Sequence, residues 1–214
     1  MNMIAQKITV ETFVQAAKVP RHLLPWRSKK YGRSAQLVRG DAFLFDGLSM
    51  AGLHLVDDDG FGGYTIMDDS DREIRRHMAA ILAARGRVLK TGLGFGCFVR
   101  ACLLKPEVEH IDVVEIDQGI IDHFGAEFVG NPRVTIHHAD AFEFPLDGKH
   151  WNLIWHDIYC DANDGLQALH VKLLKRYKRH CDIQGAWALP RWCSKLISKQ
   201  LVGSPKPRRR RAAA

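Results

Sequence analysis

The stretch Arg87–Asp117, RVLKTGLGFGCFVRACLLKPEVEHIDVVEID, decides the fold. Val88 and Leu89 open it as a short apolar run, and Gly92, Gly94 and Gly96 alternate through a turn. Phe98, Val99, Cys102 and Leu103 then recur at helical spacing, and Ile111 to Val114 form a second apolar run ending on Glu115. Strand, glycine turn, helix, strand is the unit that builds a parallel sheet. Glycines admit dihedrals closed to other residues and let a ligand approach the main chain, while the following helix offers unpaired N–H groups and the positive end of its dipole. A carboxylate about 20 residues past the turn can accept hydrogen bonds from both ribose hydroxyls. Together these features predict a nucleoside cofactor.

The spacing of the glycines narrows the choice. A dinucleotide fingerprint is G-x-G-x-x-G, whereas Cys97 follows Gly96 directly, so the pattern is G-x-G-x-G, and no Walker lysine follows it. VLKTGLGFG followed by VVEID resembles motifs I and post-I of the class I S-adenosylmethionine-dependent methyltransferases, and VEHIDVVEID is most similar to the spermidine synthase branch of that superfamily. The resemblance covers roughly residues 36–160. It implies a Rossmann-like, doubly wound α/β sheet with S-adenosylmethionine as cofactor.

The flanking chain fits that frame. A short helix is expected near Thr9–Ala17. From Gln36 to Met67 apolar residues alternate, with turn chemistry at Asp46-Gly47 and Asp59-Gly60, predicting a small antiparallel β unit; spermidine synthase-like proteins carry a comparable extension before the cofactor domain. Ser70 and Glu73 form a capping-box pattern, and Ile74, Met78, Ile81 and Leu82 predict one helix running to Ala84 and ended by Gly86. Further helices are expected over Gln118–Phe128, Asp164–His180 and Arg191–Leu201, with strands over Arg133–His137, Trp151–His156 and Ile183–Leu189. Trp151 and Trp155, four residues apart in one strand, are expected to face the same side as core residues. Too few residues remain for the two strands that usually close this core. The expectation is therefore a shortened sheet of about five parallel strands whose edge is covered by the last helix or by a partner copy, as in a homodimer. Three segments follow: 1–68 with the β unit, 69–202 as the cofactor domain, and 203–214 as a disordered basic tail.

Composition bounds the classes of function. The chain of 214 residues is 46% hydrophobic and can bury one sizeable core. No run approaches a membrane span and the N-terminus lacks the layout of a signal peptide, so a cytoplasmic protein is expected. Five cysteines, none spaced C-x-x-C, argue for reduced buried thiols rather than disulfides or zinc, and the histidines show no ligand spacing, so no metal is expected. Of the net charge of +7, Lys206 and Arg208–Arg211 supply a basic tail, and Lys172, Lys175, Arg176, Lys178 and Arg179 lie on a predicted helix. Such clusters attract nucleic acid without reading its sequence; a solvated surface is the plainer explanation.

The resemblance also assigns roles. Gly92, Gly94 and Gly96 would meet the methionine portion of the cofactor, Glu115 the ribose, with Ile116 beside it, and Asp140 with Ala141 the adenine. For Asp140 a turn or N-cap role is the alternative. Asp157 and Tyr159 would face the cleft and act on the acceptor. Asp157 matches the first aspartate of the spermidine synthase D-S-S-D-P signature, but this sequence continues Ile158-Tyr159-Cys160-Asp161. Lys90 stands where an acidic residue is often found, placing it near the cofactor's carboxylate or leaving the amino group less well held. Cys160 is read as an inert strand-end thiol rather than a nucleophile. Three readings stay open: a methyltransferase of unknown acceptor, an aminopropyltransferase, and a non-catalytic cofactor-fold protein binding nucleic acid through its basic tail.

Overall fold

The computed structural model describes residues 8–23, 27–28, 35–45, 48–57, 64–158 and 164–187. The expected helix 191–201, the basic tail, Tyr159, Cys160 and Asp161 lie outside the described residues.

Helix α1 (Val10–Ala17) starts at a capping box in which Thr9 and Thr12 satisfy each other's backbone N–H groups, and it buries Phe13, Val14 and Ala17. Four antiparallel strands follow in the order β1 (Arg27–Ser28), β2 (Ala35–Phe45), β3 (Leu48–Asp57) and β4 (Tyr64–Asp68). Phe45 pairs with Leu48 across the predicted Asp46-Gly47 turn, and the β2–β3 register shifts between Gly40 and Phe43. This is the antiparallel unit that the alternation predicted.

The predicted helix after Ser70 is two helices, α2 (Asp71–Arg76) and α3 (Met78–Ala83). They part at His77, whose ψ of −8° and N–H bond to the Ile74 carbonyl tighten the turn locally. Ile74, Met78 and Ile81 are buried as expected, but Leu82 is about half exposed and Ala80 takes the inward position.

A five-stranded parallel sheet comes next: β5 (Gly86–Thr91), β6 (Val108–Glu115), β7 (Val134–His138), β8 (Trp151–His156) and β9 (Cys181–Ala186), in spatial order β7-β6-β5-β8-β9. β9 begins two residues before the expected start. Helix α4 (Cys97–Leu103) links β5 to β6, and α6 (Asp164–Tyr177) links β8 to β9, ending short of the expected His180. The helix expected over 118–128 has that extent but not that regularity: α5 (Gln118–Ile120) widens into a π turn at Ile121–Gly125 and tightens into a 3₁₀ turn at Ala126–Phe128. No helix among the described residues is long and apolar enough to cross a membrane.

The sheet separates two cores. On one face Val88, Ile111, Val113 and Leu153 pack with α1, α3 and α4; on the other Leu89, Val114 and Ile154 pack with Leu173 and Tyr177 of α6. Each such fully buried aliphatic side chain is worth about 1.5–3 kcal/mol. The two tryptophans of β8 do not share a side: Trp155 packs in the first core and Trp151 in the second. The reason is a polar anchor at the head of the strand, where the Trp151 indole N–H donates to buried Asp112 at 2.8 Å.

A candidate cofactor and acceptor site

The chain enters the sheet at its centre, builds outward through β6 and β7, then crosses back to add β8 and β9 on the other side. The order therefore reverses between β5 and β8, and ligands of such sheets bind beyond the carboxyl ends of the strands at that reversal. The ends are tied together there: Gly92 N–H donates to the Val114 carbonyl at 2.7 Å, and Asp157 N–H to the Thr91 carbonyl at 3.0 Å.

Gly92, Gly94 and Gly96 all have positive φ, at 82°, 56° and 77°. At Gly92 a side chain would also collide with the sheet itself, because a Cβ would lie 2.1 Å from the Asp157 carbonyl oxygen. The close approach that sequence reasoning assigned to a ligand is at this position made by the main chain of Asp157, just past the end of β8.

Glu115 is 6% exposed and braces the turn. Its Oε2 accepts from Leu93 N–H at 2.7 Å and its Oε1 from Asp117 N–H at 2.8 Å. A carboxylate offers about four acceptor sites, so further ones remain for ribose hydroxyls. Ile116 beside it is exposed, and its carbonyl accepts from His138 at 3.1 Å. At the end of β7, Asp140 Oδ1 caps Phe142 N–H at 2.7 Å, the turn role weighed as its alternative, and the carbonyl of buried Ala141 accepts from the Tyr177 hydroxyl at 2.7 Å. The strand ends thus bring Gly92–Gly96, Glu115, Ile116, Asp140, Ala141 and Asp157 to one end of the sheet.

Asp157 has a partner that sequence reasoning missed. Lys90, 2% exposed, places its Nζ 2.8 Å from Asp157 Oδ2. Burial works against the Asp157 carboxylate, but the Lys90 ammonium and His77 outweigh it and hold the carboxyl below its ordinary range. Lys90 is thus turned onto the chain rather than toward a cofactor carboxylate.

His77 stands on the same face of the sheet. The Trp155 indole can only donate, so its 3.0 Å bond fixes His77 Nδ1 as an acceptor and leaves the ring hydrogen on Nε2. That atom lies 3.6 Å from Glu73 Oε1 and 3.9 Å from Asp157 Oδ2. Glu73 also accepts from the Trp187 indole at 2.6 Å and pairs with Arg76 at 2.8 Å. Burial opposes its charge, yet His77, Arg76 and Trp187 together hold its carboxyl below the usual value. The only local signal for this cluster was the i, i+4 spacing of Glu73 and His77; Trp155 comes 78 residues later.

Below the sheet, fully buried His156 shares a 3.0 Å hydrogen bond between its Nδ1 and the Thr91 hydroxyl. Burial pushes its imidazole down to about 3, with His170 adding to the effect. Burial likewise pushes the thiols of Cys97 and Cys102 up, to about 11 and about 12, so both are protonated and unreactive near neutrality. Among the described residues no group of three or more His, Cys, Asp or Glu is placed to hold a metal ion.

No family model matches the chain. Among curated proteins it is similar to the ribosomal RNA small subunit methyltransferase A of Parasynechococcus marenigrum (strain WH8102), 32% identical over 88 residues. That match covers 40% of this chain and 28% of the relative's length. Among solved structures it is similar to a spermidine synthase in complex with the transition-state analogue AdoDATO, with TM-score 0.52, 16% identity, and coverage of 76% of this chain and 56% of that one. The spermidine synthase of Thermotoga maritima gives TM-score 0.50 at 16% identity, over 79% and 56% of the two chains. At 16% identity the likeness to these two structures shows the fold alone: the five-stranded parallel sheet with helices on both faces is Rossmann-like.

Proposed function

We propose that this protein transfers a methyl group from S-adenosylmethionine, with RNA as the acceptor class. The observation that carries the first half is Glu115: a buried carboxylate at the end of the second strand in the sheet, bonded to the glycine turn and still holding acceptor capacity. RNA is favoured by the 88-residue similarity to an rRNA methyltransferase.

The cofactor's sulfonium, when bound, supplies the electrophilic methyl group. The chain's own residues bind and orient. Glu115 would accept from the ribose hydroxyls with Ile116 beside it, and Asp140 with Ala141 would hold the adenine. Asp157, its charge balanced by Lys90 on Oδ2, would orient the acceptor by hydrogen bonding through its other oxygen. Because Lys90 holds it ionised, it is a weak proton acceptor. The same ion pair neutralises the carboxylate that a polyamine acceptor would need, which weighs against aminopropyl transfer.

Parallel calorimetric titrations with S-adenosylmethionine, S-adenosylhomocysteine and decarboxylated S-adenosylmethionine test this reading. Binding of the first two in preference to the third is expected, followed by transfer of labelled methyl to RNA. Preference for the decarboxylated form, or binding of none, would overturn it.

A further inference from the structure

The C-terminal half of α6 has two contrasting stripes. His170, Leu173, Leu174 and Tyr177, at i, i+3, i+4 and i+7, are buried against the sheet. Lys172, Lys175 and Arg176 lie on the exposed side of the helix, Lys178 and Arg179 follow, also exposed, in the turn just past its end at Tyr177, and no Asp or Glu occurs between Ala168 and Cys181. None of these five cations makes an ion pair among the described residues.

The charge extends beyond the helix. Arg176 donates to the Phe144 carbonyl at 2.6 Å, and the ammonium of Lys149 lies 4.1 Å over the Phe144 ring, so the loop before β8 joins the same surface. Carboxylates of the adjoining segments do not pair with it among the described residues: Asp182 is engaged by His150 and Asn152, Asp140 caps Phe142, and Glu143 and Asp147 make no ion pair with the stripe. Like charges at i, i+3 and i, i+4 repel, and the negative end of the helix dipole compensates only its last turn.

A surface that gathers positive charge, without ion pairs among the described residues, on a helix end and the turn after it is matched to a polyanion. An anionic membrane would call for apolar side chains able to enter the bilayer beside the cations, and a folded protein for aromatic or aliphatic anchors. Among the described residues the large apolar side chains that are exposed, Ile8, Leu82, Leu104, Ile116 and Val129, all lie elsewhere. Phosphodiester backbone needs neither.

We propose that Lys172, Lys175, Arg176 and Arg179, with Lys178 and Lys149 at their margin, form a docking surface for the phosphate backbone of RNA. The choice of RNA over DNA rests on the functional reading above; the electrostatic argument does not. α6 runs from the carboxyl end of β8 back to the amino end of β9, so at about 1.5 Å per residue the stripe sits on the order of 15–20 Å from Asp157. It therefore grips backbone flanking the reacting nucleotide.

The test is fluorescence anisotropy of the full chain with a labelled RNA hairpin, titrated between about 50 and 200 mM salt. Lys172→Gln/Lys175→Gln/Arg179→Gln should weaken RNA binding at least about tenfold and reduce the slope of log K against log salt by about 2, since each phosphate contact contributes about 0.7–0.9. The corresponding variant with arginine at 172 and 175 should bind like the parent, and S-adenosylmethionine titration should be unaffected in both. Absence of RNA binding by the parent, an unchanged slope in the triple glutamine variant, or loss of binding only when Arg208–Arg211 are replaced by Gln would overturn the proposal. So would tighter binding of anionic vesicles or of duplex DNA of the same sequence. If RNA binding behaves as stated while no cofactor binds, the docking surface stands and the methyl-transfer reading falls.

Discussion

Lys90 and Asp157 meet where the order of the sheet reverses. The ammonium lies 2.8 Å from the carboxylate oxygen and 3.4 Å from each of the Thr91 and Asp157 carbonyls, so all its donors are directed at the chain. The lysine comes from the central strand and the aspartate from the end of its neighbour, so the pair joins the two lips of the crevice.

Replacing Lys90 with Met should leave a largely buried carboxylate without its partner and cost about 3 kcal/mol. Adding Asp157→Asn should recover part of that loss. Urea unfolding of the two single variants and the double variant measures the coupling, and additive losses would show that the pair is not coupled. The acid limb changes too. Asp157 has a folded-state pKa below its unfolded value of about 3.9, so its contribution is present above that value and lost as pH falls through the lower, folded one. Lys90→Met should make the loss of stability below about pH 4 shallower.

His156 should set a second pH dependence, at milder acidity. The unfolded chain binds a proton at this site near pH 6.5, whereas the folded chain keeps the ring neutral down to about 3. Between those values the unfolded state holds more protons, so stability falls as pH falls, by up to about 1.4 kcal/mol per pH unit from this group. The urea midpoint measured from pH 7 to pH 4 should follow that slope in the parent, and His156→Asn should flatten it; equal slopes would remove His156 as the source.

Two glycines of nearly equal φ separate strain from collision. Gly130, at φ 80°, has no atom within 4 Å of where a Cβ would stand, whereas Gly92, at φ 82°, has the Asp157 carbonyl at 2.1 Å. Gly130→Ala should cost about 1–2 kcal/mol, the left-handed penalty alone. Gly92→Ala should cost clearly more, because the backbone of Asp157 and Ile158 after β8 must move. Thermal unfolding of both decides the matter, and equal losses would mean that the sheet end is pliable.

Glu115→Ala should act on both stability and cofactor. It strips the acceptor from Leu93 N–H and Asp117 N–H, each costing about 1–3 kcal/mol if left buried and unpaired. Glu115→Gln keeps one acceptor oxygen and should fold better, yet still bind S-adenosylmethionine at least about tenfold more weakly, since the charged acceptor is gone. Calorimetry combined with thermal unfolding separates the two effects; parent-like affinity in Glu115→Gln would remove Glu115 from the ribose site.

The sheet was legible because its strands are short apolar runs closed by glycine or acidic residues, a pattern that local sequence carries by itself. The break at His77 was not, since Ile74, Met78 and Ile81 keep helical spacing across it and the ring's partner, Trp155, lies in a distant strand. For the same reason Lys90 read as a departure from a motif: nothing near it in sequence announces Asp157. Trp151 and Trp155 obeyed the alternation on paper, but the Asp112 carboxylate draws the first indole to the other core. Pattern reports which face a residue should take, and long-range polar partners decide the exceptions.

Arg100 fastens α1 to the glycine turn: its guanidinium donates to the Ala17 carbonyl at the end of the helix and to the Phe95 carbonyl within the turn, and it pairs with Glu127 at 2.7 Å. The separation between Ala17 and Arg100 is 83 residues. During synthesis α1 emerges long before its clasp exists, and an eight-residue helix is too short to hold its shape alone. α1 is thus obliged to wait for the middle of the chain, and its docking reports that the central strand and turn have already assembled.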